Sequence, residues 1–262
     1  MSDISLKSGA DLKDKQAFLT EVVNPMVGWL DMYAAARTTD LLDFQVEQAV
    51  RGPLVEIGLY YGKYFAVLMR SSLLTGDRLL GLDTFDYVPY EKFQADFREK
   101  VQLDHFESQT RPNIRYIKGR STDYDGPGFL AVTDAAPRFI SIDGSHDFED
   151  VYWDLRIADQ ILGARGIVAA DDFLNHACLG VNEAINRVLA STPSLVPFAY
   201  ICNKLFCCRP AFADWYKDGL EQTIMADIPN HKSDYFKKYA KSVHRKQVET
   251  IYFGRKVLTI PL

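Results

Sequence analysis

The chain has 262 residues, 47% of them hydrophobic and 25% charged, with a formal net charge of −5. That is an ordinary globular composition, long enough for one sizeable core with appendages. The acidic balance argues against a nucleic-acid partner, for which a basic excess is expected. No run approaches the about 18 consecutive apolar residues of a membrane span.

The opening stretch, MSDISLKSGADLKDKQ, is polar and lacks the apolar segment of a secretory signal, so a cytoplasmic protein is expected. The four cysteines, Cys178, Cys202, Cys207 and Cys208, form no CxxC pair and no Cys/His cluster with zinc spacing. Reduced, mostly buried thiols are the expectation.

Residues 1–50 read as helical, with the apolar part in VVNPMVGWLDMYAAARTTDLLDFQVEQAV. From there strand and helix patterns alternate. Strands are expected at 54–58, 78–83, 114–118, 138–143 and 166–171, and helices at about 62–75, 88–108, 122–135 and 147–162. The strand runs are apolar throughout, as parallel strands covered on both faces should be. A helix follows at 180–191. Then VPFAYICNKLFCCRP reads as two strands joined by Cys202-Asn203-Lys204, an antiparallel hairpin at the end of the sheet. The organisation expected is an N-terminal helical appendage (1–50), a core (51–210) and a C-terminal extension (211–262) ending in KVLTIPL. The N-terminal helices are candidates for covering a site or for a homo-oligomer contact.

LVEIGLYYGKY, at 54–64, is a strand, a glycine turn and a helix start. Such a turn points a ligand site at the C-terminal end of its strand. The dinucleotide fingerprint G-x-G-x-x-G is absent, because Tyr60 stands where the second glycine would let the backbone approach a pyrophosphate. This speaks against a nicotinamide-dependent oxidoreductase and for a ligand without a pyrophosphate. Asp83, ending the next strand, is an acid at a distance that suits a ribose diol. The bland alternative is that Glu56, Gly58 and Asp83 only shape turns.

Together these features resemble the class I S-adenosylmethionine-dependent methyltransferases over about residues 51–210. The resemblance implies a Rossmann-like α/β fold: a mainly parallel seven-stranded sheet with an antiparallel terminal hairpin and helices on both faces. It implies that Glu56, Gly58 and Gly62 hold the methionine part of the cofactor, with Tyr61 lining the same pocket. Asp83 matches the ribose-binding acid. Ser121, in KGRSTDY, lies in the segment that passes the adenine. VEIGxYxGK recurs in the sugar and natural-product O-methyltransferase branch.

The remaining signal is a set of acids. Asp143 and the pair Asp171-Asp172 would end two neighbouring strands on one edge of the sheet, about 5 Å apart. Close carboxylates repel unless a cation sits among them, and oxygen-only ligands select a hard ion such as Mg²⁺. Successive residues of a strand face opposite ways, so Asp171 and Asp172 can share an ion only if the chain bends there. The bland alternative is helix capping and turn formation.

The pattern resembles the metal-dependent O-methyltransferases of the macrolide and aminocoumarin sugar type, which implies that Asp143, Asp171 and Asp172 are metal ligands. Asp143 is also placed beside the cofactor. A cation bound to a hydroxyl lowers its pKa and fixes its position. His146 is the candidate base, since the ordinary pKa of an imidazole suits work near neutrality and the sugar branch often has a His at its place; the alternatives are a surface or helix-capping His and a metal ligand. Asn175 and His176 are candidate substrate contacts.

The expected activity is Mg²⁺-assisted methylation of a hydroxyl on a small molecule, a sugar or natural product. The rivals are a metal-independent methyltransferase of the same fold and a non-catalytic adenosine-ligand-binding protein. The basic, aromatic stretch at 231–246 reads as a solvated helix face.

Overall fold

A computed structural model describes residues 12–107 and 113–261. Most of the polar opening stretch, for which no signal is expected, lies outside them. In chain order the helices are α1 (Lys15–Phe18), α2 (Met32–Glu47), α3 (Lys63–Thr75), α4 (Tyr90–Lys100), α5 (Leu103–Glu107), α6 (Gly126–Thr133), α7 (Phe148–Ile161), α8 (Leu179–Ser191), α9 (Ala213–Ala226) and α10 (His231–Ala240). The strands are β1 (Leu54–Ile57), β2 (Leu79–Asp83), β3 (Ile114–Lys118), β4 (Phe139–Ile142), β5 (Ile167–Ala170), β6 (Val196–Ile201), β7 (Lys204–Cys208), β8 (Glu249–Tyr252) and β9 (Arg255–Ile260).

One sheet runs in the order β3-β2-β1-β4-β5-β7-β6-β9-β8. The five strands from β3 to β5 are parallel, and β7 joins β5 antiparallel. The central strands LVEI, FISI and IVAA are buried at every position, as their mostly apolar runs lead one to expect, with Glu56 and Ser141 the polar exceptions. Strand β3, at the edge, is only partly covered, and its Arg115, Tyr116 and Lys118 fit that place. One apolar cluster lies on each face of the sheet.

The sheet has nine strands where seven were expected. The two extra strands come from the tail. KVLTIPL supplies β9, parallel to β6, with Val257, Leu258 and Ile260 fully buried. Without it the apolar β6 would expose an unpaired edge. Strand β8 then forms the outer edge, and its ETIY pattern is largely solvent-facing.

Helix α2 contributes to the same apolar cluster as β1 and α3. Its buried Gln45 donates to the backbone oxygen of Arg138 (2.9 Å), while the Arg138 guanidinium reaches Gln45 Oε1, Ser71 and Asp77 at 2.9–3.0 Å. No helix among the described residues is long and apolar enough to cross a membrane.

Candidate active site

The C-terminal tips of β1, β2, β4 and β5 open onto one cavity of about 1060 Å³. Glu56, Gly58, Tyr61, Asp83, Ser121, Asp143, His146, Asp171, Asp172 and Asn175 all line it. Gly62 lies just behind the lining, under the Phe97 ring, and His176 is exposed outside it.

The glycine turn is built by close approach. Gly58 has φ +86°, and a Cβ there would stand 2.1 Å from the backbone oxygen of Asp143. It is therefore glycine because the backbone after β1 packs against the backbone after β4, whatever ligand is bound. Gly62, with φ +80°, starts α3, and a Cβ would meet the Phe97 ring at 2.6 Å. Between them Tyr60 holds a left-handed backbone (φ +49°), an uncommon state for a bulky residue.

Asp83 ties this turn down. Its Oδ2 accepts from the backbone N–H of Leu59 (2.6 Å) and Tyr60 (3.2 Å), and its Oδ1 accepts from Phe85 (2.5 Å). The turn-shaping role is thus present, and the carboxylate keeps acceptor capacity for a further donor. Glu56 is 2% exposed and its Oε2 has no hydrogen-bond partner. Burial pushes its carboxyl well above the usual range, against the pull of Lys204.

At the tips of β4 and β5 the acids are arranged differently from the expectation. The chain does bend at the pair: Asp172 has φ +56°. The bend carries its carboxylate away from the other two. Asp172 Oδ1 accepts from Asn175 Nδ2 (2.8 Å) and Asn203 Nδ2 (2.7 Å), and Oδ2 meets His146 Nε2 at 3.0 Å. Asp171 is hydrogen-bonded by the Lys204 ammonium, which also lies 3.9 Å from Asp143 and 4.2 Å from the centre of the Tyr64 ring. Burial and the adjacent Asp171 carboxylate push Asp143 well above the usual carboxylate range.

The three-carboxylate Mg²⁺ site that the resemblance implies needs one oxygen from each acid aimed at a common centre. Among the described residues, the one group of His, Cys, Asp or Glu ligand atoms lying mutually within 4.8 Å is His146, Asp172 and Cys178. Asp143 and Asp171 do not join Asp172 in such a group. The three acids as arranged do not fit that three-carboxylate Mg²⁺ site, and the Lys204 ammonium stands at two of them. Nor is the His146 group a ligand shell, since the imidazole faces Asp172 through Nε2 and Cys178 through Nδ1.

Those two contacts assign the imidazole. The His146 hydrogen bond holds Asp172 down at about 2, so Asp172 is a carboxylate and Nε2 carries a proton. Burial raises the Cys178 thiol to about 11, so it stays S–H and donates to Nδ1 over 3.3 Å. The Asp172 bond raises the imidazole above its usual value. His146 is thus oriented by an acid, with Nδ1 as its basic atom.

Two residues, Lys204 and Asp154, escaped the reading of the sequence. Lys204 is the first residue of β7 rather than part of the turn, and is 2% exposed. Asp154, on α7, is 1% exposed, lines the cavity and has an unpartnered Oδ1. The signal for it was present: Asp154 falls on the helix stripe of Val151, Leu155, Ala158 and Ile161, where an acid is out of place. At the mouth, Trp29 stacks on Tyr60 (5.4 Å, 12°), and Tyr87 stands 6.3 Å from Tyr60. Trp29 and Tyr87 are 87% and 88% exposed. Single exposed rings are unremarkable, but three side by side at a cavity mouth are not.

The comparisons with known proteins bear on the fold that carries this site. Residues 55–173 match a family model described as a methyltransferase domain. The fold is similar to that of CalS11, a TDP-rhamnose 3'-O-methyltransferase of calicheamicin biosynthesis: TM-score 0.53, 20% identity, 68% of this chain and 79% of that one. It is also similar to the O-methyltransferase NovP: TM-score 0.52, 16% identity, 68% of this chain and 80% of that one. No curated protein matches the sequence. The chain has the fold of the class I S-adenosylmethionine-dependent methyltransferases, and the segment that matches the methyltransferase-domain model holds the glycine turn and the acids at the strand tips.

Proposed function

We propose that this protein transfers a methyl group from S-adenosylmethionine to a hydroxyl of a small molecule, of the sugar or natural-product class. The observation that carries the reading is the single cavity. It gathers the glycine turn, Asp83, Ser121 and the His146–Asp172 pair at the C-terminal tips of parallel strands. Such crevices are where α/β sheets bind ligands.

Bound S-adenosylmethionine supplies an electrophilic methyl group on a sulfonium. The residues present suit that ligand. Glu56 offers an unpaired, buried oxygen to the amino group of the methionine part. Asp83 receives a ribose hydroxyl on its remaining acceptor site. Ser121, 8% exposed beside Asp154, borders the adenine side. His146 takes the proton of the acceptor hydroxyl at Nδ1 once that atom leaves the Cys178 thiol, and Asp172 steadies the imidazolium that forms.

The aromatic mouth supports an acceptor with a ring. Trp29, Tyr60 and Tyr87 present flat apolar faces to it, while Asp86, Asp147 and Asp150 give polar anchoring around the lining. The likeness to a sugar O-methyltransferase and to NovP is compatible with that class. Magnesium is left out of the proposal because Lys204 already holds Asp171.

The test is calorimetric titration of S-adenosylhomocysteine into the full-length protein. Saturable micromolar binding is the expected result. No binding, with or without Mg²⁺, would remove the methyltransferase reading.

A further inference from the structure

The three acids that the sequence offers to a metal are all engaged by side chains of this chain, and two of the engaging residues, Asn203 and Lys204, are neighbours in one hairpin. The hairpin between β6 and β7 turns on Cys202 and Asn203, with φ +47° and +80°. Two positive φ values mark the kind of two-residue turn whose twist matches that of its flanking strands. The pairing of Ile201 with Lys204 closes it. Asn203 donates from Nδ2 to Asp172, and its backbone oxygen accepts from Phe173 N–H (3.1 Å). The next residue, Lys204, directs its ammonium to Asp171 and lies 3.9 Å from Asp143.

We propose that this hairpin does the work of a metal ion: Lys204 is the resident cation of the acid cluster, so the site binds no divalent ion and functions without one. The activity part of this statement rests on the proposed methyl transfer; the binding part does not.

The physical case has three parts. First, a buried ammonium cannot be left unpaired, and Lys204 is 2% exposed with Asp171 as its hydrogen-bonded partner. Second, a divalent ion placed between Asp143 and Asp171 would sit within a few ångströms of a fixed positive charge. It would meet strong repulsion where solvent screens weakly. Third, the ammonium has no ready exit. Its backbone is the first rung of a strand hydrogen-bonded on both sides, and its Nζ lies over the Tyr64 ring, whose hydroxyl is bonded to Thr38 Oγ1 at 2.9 Å. Lys204 acts through the acids it holds, which makes it a positioning residue.

The experiment compares Mg²⁺ binding and thermal stability in the full-length wild type and in Lys204→Met, which keeps the stem and removes the charge. Calorimetric titration of Mg²⁺ into wild type should give no binding heat, and the Tm should be equal in Mg²⁺ and in EDTA. Lys204→Met should melt lower than wild type in EDTA, gain a saturable Mg²⁺ heat and recover part of its Tm when Mg²⁺ is added. Saturable Mg²⁺ binding by wild type, lost in Asp171→Asn, would overturn the proposal. So would a folded Lys204→Met that gains no affinity for Mg²⁺.

Should Lys204→Met fail to fold, the wild-type titration still decides. S-adenosylhomocysteine binding, measured in EDTA, reports separately on the methyltransferase reading. Its absence would sink that reading and leave the metal result standing.

Discussion

The two halves of the cavity are built on different logic. In the half formed by β1 and β2, everything comes from one short stretch and the strand after it: Gly58 permits a close backbone approach to Asp143, Asp83 binds the turn's backbone, and Glu56 waits beneath with a free oxygen. In the half formed by β4 and β5, the acids come from two strand tips, but their partners come from elsewhere. His146 precedes α7, Cys178 precedes α8, and Asn203 and Lys204 arrive from the β6–β7 hairpin. A local motif fixes backbone shape. An acid cluster acquires its chemistry only from whatever cation the fold brings to it.

The contrast predicts that the two halves fail separately. The largest effect is expected for His146→Ala. Loss of a positioned base should lower kcat/KM by about 10²–10⁴-fold, with affinity for S-adenosylhomocysteine unchanged, because His146 belongs to the acid half. Steady-state kinetics paired with calorimetry checks this. A variant that loses cofactor affinity and turnover together would merge the halves, and the division drawn here would be wrong.

How much of this could be read beforehand follows the same line. The parallel strands were legible because their apolar runs have one physical explanation, and the glycine turn because two glycines bracket a helix start. The bend at Asp171-Asp172 was foreseen as a condition, and φ +56° at Asp172 meets it. Where the bend would aim the carboxylate was not legible, since Asn203 and His146 lie 31 and 26 residues away in the chain. Lys204 was hidden for a related reason. A lysine next to Cys202-Asn203 reads as a solvated turn residue, and only the two-residue geometry of the turn puts it inside the strand. The tail strand β9 looked like a loose apolar end, because pairing with β6 is a contact across some 60 residues of chain.

A second effect concerns the buried acid on α7. Burial raises Asp154 to about 7 from its ordinary 3.8. The folded protein then keeps a proton that the unfolded chain has lost between those two values, so stability falls as pH rises from about 4 to 7. Asp154→Asn removes the titration. Its Tm, relative to wild type, should climb across that window, by an amount on the order of 4 kcal/mol or roughly 10 °C in all. Thermal melts of the two proteins without ligand, at several pH values, measure this. A difference that is flat in pH would mean that Asp154 is ionised in the folded protein and has a partner.

The smallest effect tests the mouth, which belongs to neither half. Trp29 touches Tyr60 by stacking and is otherwise bare. Its removal should therefore leave the fold and the cofactor alone. An aromatic contact of this kind is worth about 0.5–1.5 kcal/mol, so Trp29→Ala should raise KM for a ring-bearing acceptor by roughly two- to tenfold with kcat nearly constant. Uniform loss of binding in ground and transition states has that signature. If kcat falls instead, Trp29 orients the acceptor hydroxyl toward His146 and belongs with the acid half after all. If neither constant moves, the acceptor enters without touching the aromatic faces, and the preference for a ring loses its support.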